Sequence, residues 1–284
     1  MQLYAFNEHN QIVSAPQADR HRDYSCLECR GTVRLRGGVH RQKHFFHLAT
    51  TENCSQRRKG MVHLQIQCSI ERLLPPGDCF LERRFPEIAR IADVVWESEK
   101  IIFEVQCSGM SDKEASERNR DYQSVGYQVV WILHESRYNR WRVAAVEEAL
   151  VGSPHYYTDM DAEGKGHIYD QWRWNAGGIC RARLSPLTVD IRTPIRSFQE
   201  VESPLSLIKK RKEQWNLHFR GDLVDAAKQQ ASNAYFADYL SKAAEKESLF
   251  VERRQKRRFF TKPLHFLFRS YKILLKFFLE RACR

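Results

Sequence analysis

The sequence contains no uncharged apolar run of 18 residues, so it predicts no membrane-spanning helix. Its first residues, MQLYAFNEHN, lack both the basic and the apolar stretch of a secretory signal, and the expected location is the cytoplasm. Without such a signal, the eight cysteines are expected to be free thiols or metal ligands rather than disulfides. The sequence also has no internal repeat, so a repeat architecture is not expected.

The 284 residues carry a net charge of +11 that is unevenly distributed. Residues 1–60 and 204–284 are basic, whereas residues 61–150 carry 11 Lys or Arg against 15 Asp or Glu. Basic ends attract a polyanion such as nucleic acid, and an acidic middle is what a carboxylate metal site would add. Ordinary solvated surface gives the same pattern, so charge alone leaves the function open.

The hydrophobic pattern predicts an α/β core with a buried central sheet. A helix is predicted over Met61–Leu74, and two β-rich runs across the polar link at residues 97–100 predict a hairpin. A second helix is expected from about Ser111 with Asp112 as N-cap, then a buried strand, YQVVWIL, and a helix at about 142–151. The predicted organisation is a small module over 1–58, the core over 59–151, an irregular extension over 152–203 and a basic helical region over 204–284.

A CxxC pair and a nearby His-x-x-His pair predict a structural zinc site in the first module. Zinc prefers four tetrahedral nitrogen or sulfur ligands, and a small module with a weak core commonly needs such a staple. The predicted ligands are Cys26, Cys29, His44 and His47. Cys54 and His40 are alternative ligands, and a reduced CxxC near unrelated histidines is the competing interpretation.

Carboxylates on the predicted hairpin suggest a second metal site. Glu104 and Gln106 are two residues apart on a strand and therefore share a face, and the hairpin brings Asp93 beside Glu104. Two converging carboxylates bind Mg²⁺ or Mn²⁺ through oxygen. The alternative is an exposed strand face on which Asp93 and Glu104 pair with Arg90 or Arg118.

The pattern Asp93…Glu104-Val105-Gln106 resembles the D…ExK core of PD-(D/E)XK nucleases, with Gln in place of Lys. The order of CLEC, HFFH, VHLQIQ, RIADVV, FEVQCSGMS, RNRDY and VVWIL, over about residues 20–135, is similar to the competence protein CoiA family. The resemblance implies a restriction-endonuclease-like fold with a central mixed sheet and a zinc-ribbon-like module. It also implies a bacterial protein that acts on DNA in natural transformation and recombination, with Asp93 and Glu104 as metal ligands and Gln106 as the third core residue.

The chain departs from the family pattern on the first core helix. Lys59-Gly60 stand where an acidic residue commonly precedes His63, and Gln67 follows where a Lys is common. With Gln106 as well, the core is predicted to lack a cation that orients the attacking water. Glu71, on the same face as His63, is a candidate to compensate.

The resemblance also suggests residues that contact DNA. His63 is assigned either as a general base or phosphate contact or as a packed core histidine. Arg118 and Tyr122 match the R…Y pair of the family and, with Gln67, are predicted phosphate contacts, although a helix-surface pair would have the same spacing.

Beyond the resemblance, the C-terminal region contains the basic runs KKRK at 209–212 and RRQKRR at 253–258, which are natural contacts for a phosphate backbone. Residues 264–279 predict a helix that packs on the core, binds a partner or lies on a membrane, with membrane contact least favoured. Three functions remain open: a Mg²⁺-dependent DNA nuclease, a DNA-binding adaptor that guides recombination proteins on single strands or recombination intermediates, and a membrane-associated adaptor.

Overall fold

The computed structural model describes residues 1–38, 41–49, 54–198 and 201–254. The chain divides into two compact units, Met1–Gln229 and Gln230–Arg284. Both candidate sites lie within the first unit.

The first unit begins with a five-stranded antiparallel sheet, in the spatial order β2-β1-β3-β4-β5. Its strands are β1 Tyr4–Phe6, β2 Ile12–Ser14, β3 Asp23–Ser25, β4 Thr32–Gly38 and β5 Arg41–His47. The small core of this sheet is built from Ala5, Tyr24, Val33 and Phe45. A 3-10 helix, Ser55–Arg58, then leads to the first α-helix.

The central part of the unit alternates helices and strands as the hydrophobic pattern predicts. Its elements are α1 Met61–Leu73, β6 Cys79–Phe85, β7 Arg90–Trp96, β8 Ile101–Gln106, α2 Asp112–Ser124, β9 Gln128–His134 and α3 Ala145–Ala149, with short 3-10 helices at Pro86–Ile88 and Leu150–Gly152. Two boundaries differ from the prediction: α3 covers only Ala145–Ala149 of the predicted 142–151, and the N-cap of α2 lies one residue earlier than predicted. Ser111, not Asp112, caps α2, since its side chain accepts a hydrogen bond from the Glu114 amide at 3.1 Å.

The extension predicted as irregular instead includes six short β-strands. It contains β10 His155–Thr158, β11 Ile168–Asp170, β12 Arg173–Asn175, β13 Cys180–Arg183, β14 Leu187–Thr188 and β15 Asp190–Ile195. Three of these strands complete a seven-stranded mixed sheet in the order β14-β11-β10-β9-β8-β7-β6. The prediction failed because strands of two to six residues are too short to show a period of two.

Two apolar layers fix the faces of this sheet. α1 contributes Leu64, Ile66 and Ile70 to one layer. α2 contributes Ala115 and Tyr122 to the layer on the other face. The parallel neighbours β8 and β9 are buried on both faces, as continuous β-formers such as VVWIL require. A side chain within β7 or β8 is therefore held between the sheet and one of these two helices.

The remainder of the unit comprises α4 Ser206–Gln214, β16 His218–Arg220 and α5 Leu223–Gln229, with β15 and β16 paired antiparallel. Within the basic run at 209–212, Arg211 is fully buried and forms a bidentate ion pair with Asp170, which also accepts a bond from the Leu223 amide at 2.9 Å. This arginine therefore fixes α4 and α5 to the sheet and is not a surface contact for phosphate.

In the second unit the described residues are helical over 234–254. The predicted segment 264–279 and most of the basic run 253–258 lie outside the described residues. Within the part of the chain that the structure describes, no helix is both long and apolar enough to span a lipid bilayer.

Candidate active site and metal centre

Four sulfur and nitrogen ligands converge beside the N-terminal sheet. Cys26, Cys29, His47 and Cys54 place one donor atom each within 4.8 Å of all the others. Cys26 Sγ lies 3.6 Å from Cys54 Sγ, and His47 Nε2 lies 3.3 Å from Cys29 Sγ. Tetrahedral zinc with sulfur ligands at about 2.3 Å requires sulfur atoms about 3.8 Å apart, so the donor set fits zinc in kind and in spacing.

The backbone of residues 26–31, which carries the two cysteines, is shaped to hold them. Arg30 adopts the left-handed conformation with φ 60°, and the amides of Glu28 and Gly31 point at Cys26 Sγ and Cys29 Sγ, each at 3.4 Å. Amide donors of this kind stabilise thiolates. Burial lowers the pKa of His47, which favours the neutral imidazole that binds metal.

His44, predicted as a zinc ligand, lies outside this cluster, and Cys54 takes its place. The reason is the geometry of a strand: His44 and His47 both belong to β5, and residues three apart on a strand point to opposite faces. His44 instead lies 2.9 Å, through its Nδ1, from the Gln42 carbonyl oxygen. The spacing His-x-x-His was therefore misread as a ligand pair.

We expect Cys54→Ser to remove most of the bound zinc, because a structural site that loses one of four ligands loses much of its affinity. His44→Ala is the matched control and should retain one zinc ion per chain. Metal analysis of the purified variants by mass spectrometry measures both. Zinc loss in His44→Ala with retention in Cys54→Ser would reverse the assignment.

Asp93 is the most heavily bonded side chain of the second site. It lies on β7 and is 3% exposed. Its Oδ1 accepts a hydrogen bond from Gln67 Nε2 at 2.8 Å and lies 3.1 Å from His63 Nε2, both on α1. Its Oδ2 accepts the Val105 amide of the next strand at 2.8 Å. The carboxylate is thus fixed between α1 and the sheet.

Two charged residues that the sequence analysis did not identify complete this side of the site. Lys59 Nζ lies 2.8 Å from Asp93 Oδ1 and 3.2 Å from Glu82 Oε1. The pairing of β6 with β7 places Glu82 opposite Asp93, since Leu81 pairs with Val94 and Arg83 with Ala92. Two like charges opposite each other on a sheet repel, so a cation between them is required. The expected absence of a cation from this core is therefore wrong.

Glu104 is held from the other face of the sheet. It is fully buried on β8, with Arg118 NH1 2.5 Å from Oε2 and the Tyr122 hydroxyl donating to Oε1 at 2.8 Å. Both partners lie on α2, and Arg118 also pairs with Glu114 at 3.0 Å. Of the two ion pairs considered as alternatives to a metal site, the one with Arg118 forms, whereas Arg90 pairs with Asp121.

The pKa values of the two carboxyl groups are shifted in opposite directions. Burial works to raise the pKa of Asp93, but the charges of His63 and Lys59 outweigh it, so this pKa lies well below its usual range. Burial raises the pKa of Glu104; Arg118 opposes this only in part, and the neighbouring Asp93 adds to it. Asp93 is therefore ionised at neutral pH, and Glu104 holds its proton more tightly than an ordinary glutamate.

A polar cleft opens between these residues. It is lined by Ser55, Gln56, Arg58, Lys59, His63, Ile91, Asp93, Val105, Gln106, Cys107, Ser108, Gly109, Glu114 and Arg118. Gln106 Nε2 donates to the Ser108 carbonyl oxygen at 2.8 Å, so its amide group is fixed by the following loop. Three cationic side chains, Arg58, Lys59 and Arg118, therefore face the same small space as Asp93.

Two predicted phosphate contacts are placed differently. Gln67 and Tyr122 are both fully buried and donate to Asp93 and Glu104. They lie on the inner faces of α1 and α2, so they position the carboxylates and do not reach a phosphate. Arg118 remains at the cleft, and His63, 6% exposed, lies beside Asp93 at its wall. Glu71 is not among the residues that line the cleft.

Asp93 lines this cleft, whereas Glu104, on the adjoining strand, is fully buried and is not among the lining residues. The two carboxylates are oxygen donors of the kind that a hard divalent cation prefers. The structure also shows what such an ion must displace. Among the described residues, the donor atoms of Asp93 and Glu104 do not form a ready group with a third metal-binding side chain. Lys59 and Arg118 neutralise these two carboxylates instead.

Comparison with known proteins identifies the segment that contributes part of this cleft. Residues 76–150, from β6 to α3, match the family model described as "Competence protein CoiA, nuclease-like domain". This part of the chain is thus a nuclease-like domain, and it contains Asp93, Glu104 and Arg118. The match over this segment supports a relationship to the competence protein CoiA family and suggests a competence-related, nuclease-like function. No curated protein and no solved structure gives a significant match.

Proposed function

We propose that the cleft around Asp93 is the active centre of a Mg²⁺- or Mn²⁺-dependent DNA nuclease of the PD-(D/E)XK type, acting in natural transformation and recombination. The observation that supports this most strongly is the buried, ionised Asp93 of β7, which lines a cleft with three cations and has Glu104 of the adjoining strand β8 as a neighbour. Burying even a neutral polar group without a hydrogen bond costs about 2–7 kcal/mol, and burying a carboxylate costs more. Such a buried cluster is therefore expected where it has a functional role.

Each residue has a role in this proposal. Asp93 and Glu104 would hold the ion, which when bound lowers the pKa of a water and offsets charge on the phosphate. Gln106, whose NH₂ group is fixed by Ser108, presents its carbonyl oxygen to orient the water. Lys59 supplies the positive charge that Gln106 lacks.

Substrate binding in the proposal uses the remaining cations. Arg58 and Arg118 line the cleft and would contact the phosphates on either side of the scissile bond. Such contacts do not depend on base sequence, and they weaken as salt rises. His63 would keep Asp93 oriented rather than act as the base, because its Nε2 is directed at that carboxylate at 3.1 Å.

A second function is favoured by one observation. Lys59 and Arg118 already compensate both carboxylates, which would allow the domain to bind DNA without cleaving it and to guide recombination proteins. Incubation of the full chain with labelled single- and double-stranded DNA in Mg²⁺, Mn²⁺ or EDTA separates the two. Cleavage only with metal supports the nuclease, and binding in EDTA with no cleavage under any condition supports the adaptor.

The raised pKa of Glu104 predicts a pH-dependent metal affinity. Metal binding needs the carboxylate, and a raised pKa keeps the proton bound to higher pH, so Mn²⁺ affinity should increase as Glu104 loses its proton. Calorimetric titration of Mn²⁺ at several pH values measures this. Glu104→Gln should bind Mn²⁺ more weakly with a flatter profile, and an equally steep profile in that variant would assign the titration to another group.

A further inference from the structure

The cysteine site and the nuclease cleft are joined by a very short stretch of chain. Cys54 is the last metal-binding residue, the 3-10 helix Ser55–Arg58 follows at once, and Lys59 is the next residue. Lys59 is 9% exposed and lies between Asp93 and Glu82. The only cation that contacts both carboxylates in the described residues is thus five positions from a zinc ligand.

A second connection runs in parallel with the backbone. Glu28, between the two cysteines of the CxxC pair, accepts hydrogen bonds from the Ser55 amide at 3.0 Å, the Ser55 hydroxyl at 2.6 Å and the Gln56 amide at 3.1 Å. Ser55 and Gln56 in turn line the cleft. The turn that carries two zinc ligands therefore holds the chain that leads to Lys59.

The N-terminal sheet is attached to Glu82, one of the two carboxylates that Lys59 contacts. Glu82 Oε2 accepts the amides of Leu3 at 2.8 Å and Tyr4 at 3.2 Å, at the start of β1. Gln2 packs against the cluster, with its Oε1 3.1 Å from Cys26 Sγ. Two stretches of chain therefore lead from the four-ligand cluster to this ion pair: residues 2–4 reach Glu82, and residues 54–59 carry Lys59.

Beyond these connections, the backbone of this segment is held by the Met1 ammonium group, just before β1, which donates to the Gln56 carbonyl oxygen at 2.7 Å and to the Lys59 carbonyl oxygen at 3.1 Å. The 3-10 helix has no side-chain N-cap, and the segment lies on the surface, with Arg57 and Arg58 exposed. A lysine loses about 2 kcal/mol of side-chain entropy when it is fixed, so a mobile backbone at residues 54–58 would release it.

We propose that metal bound by Cys26, Cys29, His47 and Cys54 positions Lys59 in the nuclease cleft, so that loss of zinc withdraws Lys59 from Asp93 and Glu82. The ion has no part in the chemistry at the cleft, and Lys59 acts as a positioning residue for Asp93. The consequence for DNA cleavage rests on the proposed function, whereas the placement of Lys59 does not.

The test measures the accessibility of the Lys59 amine directly. The full chain, with and without zinc removed by 1,10-phenanthroline, is pulse-labelled with an acetylating reagent, and each lysine is quantified by mass spectrometry. Lys113, with a side chain 83% exposed, is the internal reference. Labelling of Lys59 relative to Lys113 should rise by about tenfold or more on zinc loss, the size expected for local opening of an otherwise stable segment. Readdition of zinc should reverse it.

Variants distinguish the effect of zinc loss from the effect of losing the Glu28 hydrogen bonds. Cys54→Ser should behave as the zinc-free protein, and Cys180→Ser, at a cysteine outside the cluster, as the wild type. Glu28→Gln keeps all four ligands and weakens the connection to Ser55 and Gln56, together with the contact of Glu28 Oε2 with Cys54 Sγ at 3.6 Å. It should retain zinc yet show intermediate labelling of Lys59.

Amide hydrogen exchange of β8 and β9, recorded on the same samples, distinguishes local release from unfolding of the sheet. The proposal is overturned if Lys59 stays protected after metal analysis shows zinc to be gone. It is equally overturned if Lys59 is exposed only together with β8 and β9, or if the purified chain binds no zinc. A protein that never cleaves DNA would refute the proposed nuclease but leave the labelling result unchanged.

Discussion

Asp93→Asn is expected to reduce metal-dependent DNA cleavage by about 10²–10³-fold or more, the range seen when one preorganised electrostatic group is removed from an active site. The amide keeps the size of the side chain but lacks the charge that would hold a cation. It also has one acceptor oxygen where the carboxylate has two, and in the wild type Lys59, His63 and Gln67 all contact Oδ1. Initial rates on a labelled DNA with saturating Mg²⁺ measure the loss.

Asp121→Asn is the matched control for this variant. Like Asp93, Asp121 pairs with a cation, in this case Arg90. It lies on α2 and is not among the residues that line the cleft. Its cleavage rate should remain within about threefold of wild type, as expected for a partly exposed ion pair. Equal rates for Asp93→Asn and wild type would remove Asp93 from the proposed mechanism.

Lys59→Met is expected to destabilise the fold by about 3–5 kcal/mol, because it leaves two buried carboxylates without their shared cation. The distances of 2.8 Å to Asp93 and 3.2 Å to Glu82 make Lys59 the direct counter-ion of both. Urea denaturation at neutral pH measures the change. Lys100→Met is the control, since Lys100 forms an exposed pair with Glu97 and its loss should cost under about 1 kcal/mol.

The pH dependence identifies the cause of this destabilisation. A carboxyl group whose pKa is depressed in the folded state stabilises the fold above its ordinary pKa, and this contribution is lost as the pH falls through the folded value. Lys59 is one source of the depression at Asp93. The stability difference between wild type and Lys59→Met should therefore shrink as the pH falls below about 4. The addition of Glu82→Gln should restore part of the stability at neutral pH, whereas a pH-independent difference would indicate lost packing instead.

The elements that position the cleft were predictable because their signals are local. α1 ends close to the proline pair that stops it, and β7 to β9 are runs of β-formers bounded by polar turns. Alternation on β8 separates Glu104 and Gln106 from the apolar Phe103 and Val105, and this marked Glu104 as unusual before its surroundings were known. Such patterns lie within one element, so no tertiary information is needed to read them.

Lys59 and Glu82 were missed because nothing local marks them. Lys59 lies between two helices, and Glu82 lies on β6 with φ 48°, in the left-handed conformation. Their importance arises only when the pairing of β6 and β7 sets Glu82 opposite Asp93. A register drawn between the runs CFLERRF and RIADVVW could have found this pair of carboxylates and the need for a cation between them.

The correction from His44 to Cys54 has a different origin. The alternation of side chains along β5 was sufficient to exclude His44 and His47 from sharing a ligand face, once that segment is taken as a strand. Cys54 could not be chosen by the same argument, because the chain between His47 and Cys54 has no periodic pattern. Only the folded arrangement brings its sulfur beside Cys26.

The central claim is that Asp93 and Glu104 form a divalent metal centre, and diffraction from crystals grown with Mn²⁺ tests it most directly. The account predicts an anomalous manganese peak in contact with Asp93 and Glu104, with the Lys59 amine or the Arg118 guanidinium displaced from its present carboxylate partner. Zinc should give a second peak among Cys26, Cys29, His47 and Cys54. Crystals saturated with Mn²⁺ in which both ion pairs persist and no manganese lies in the cleft would contradict the account.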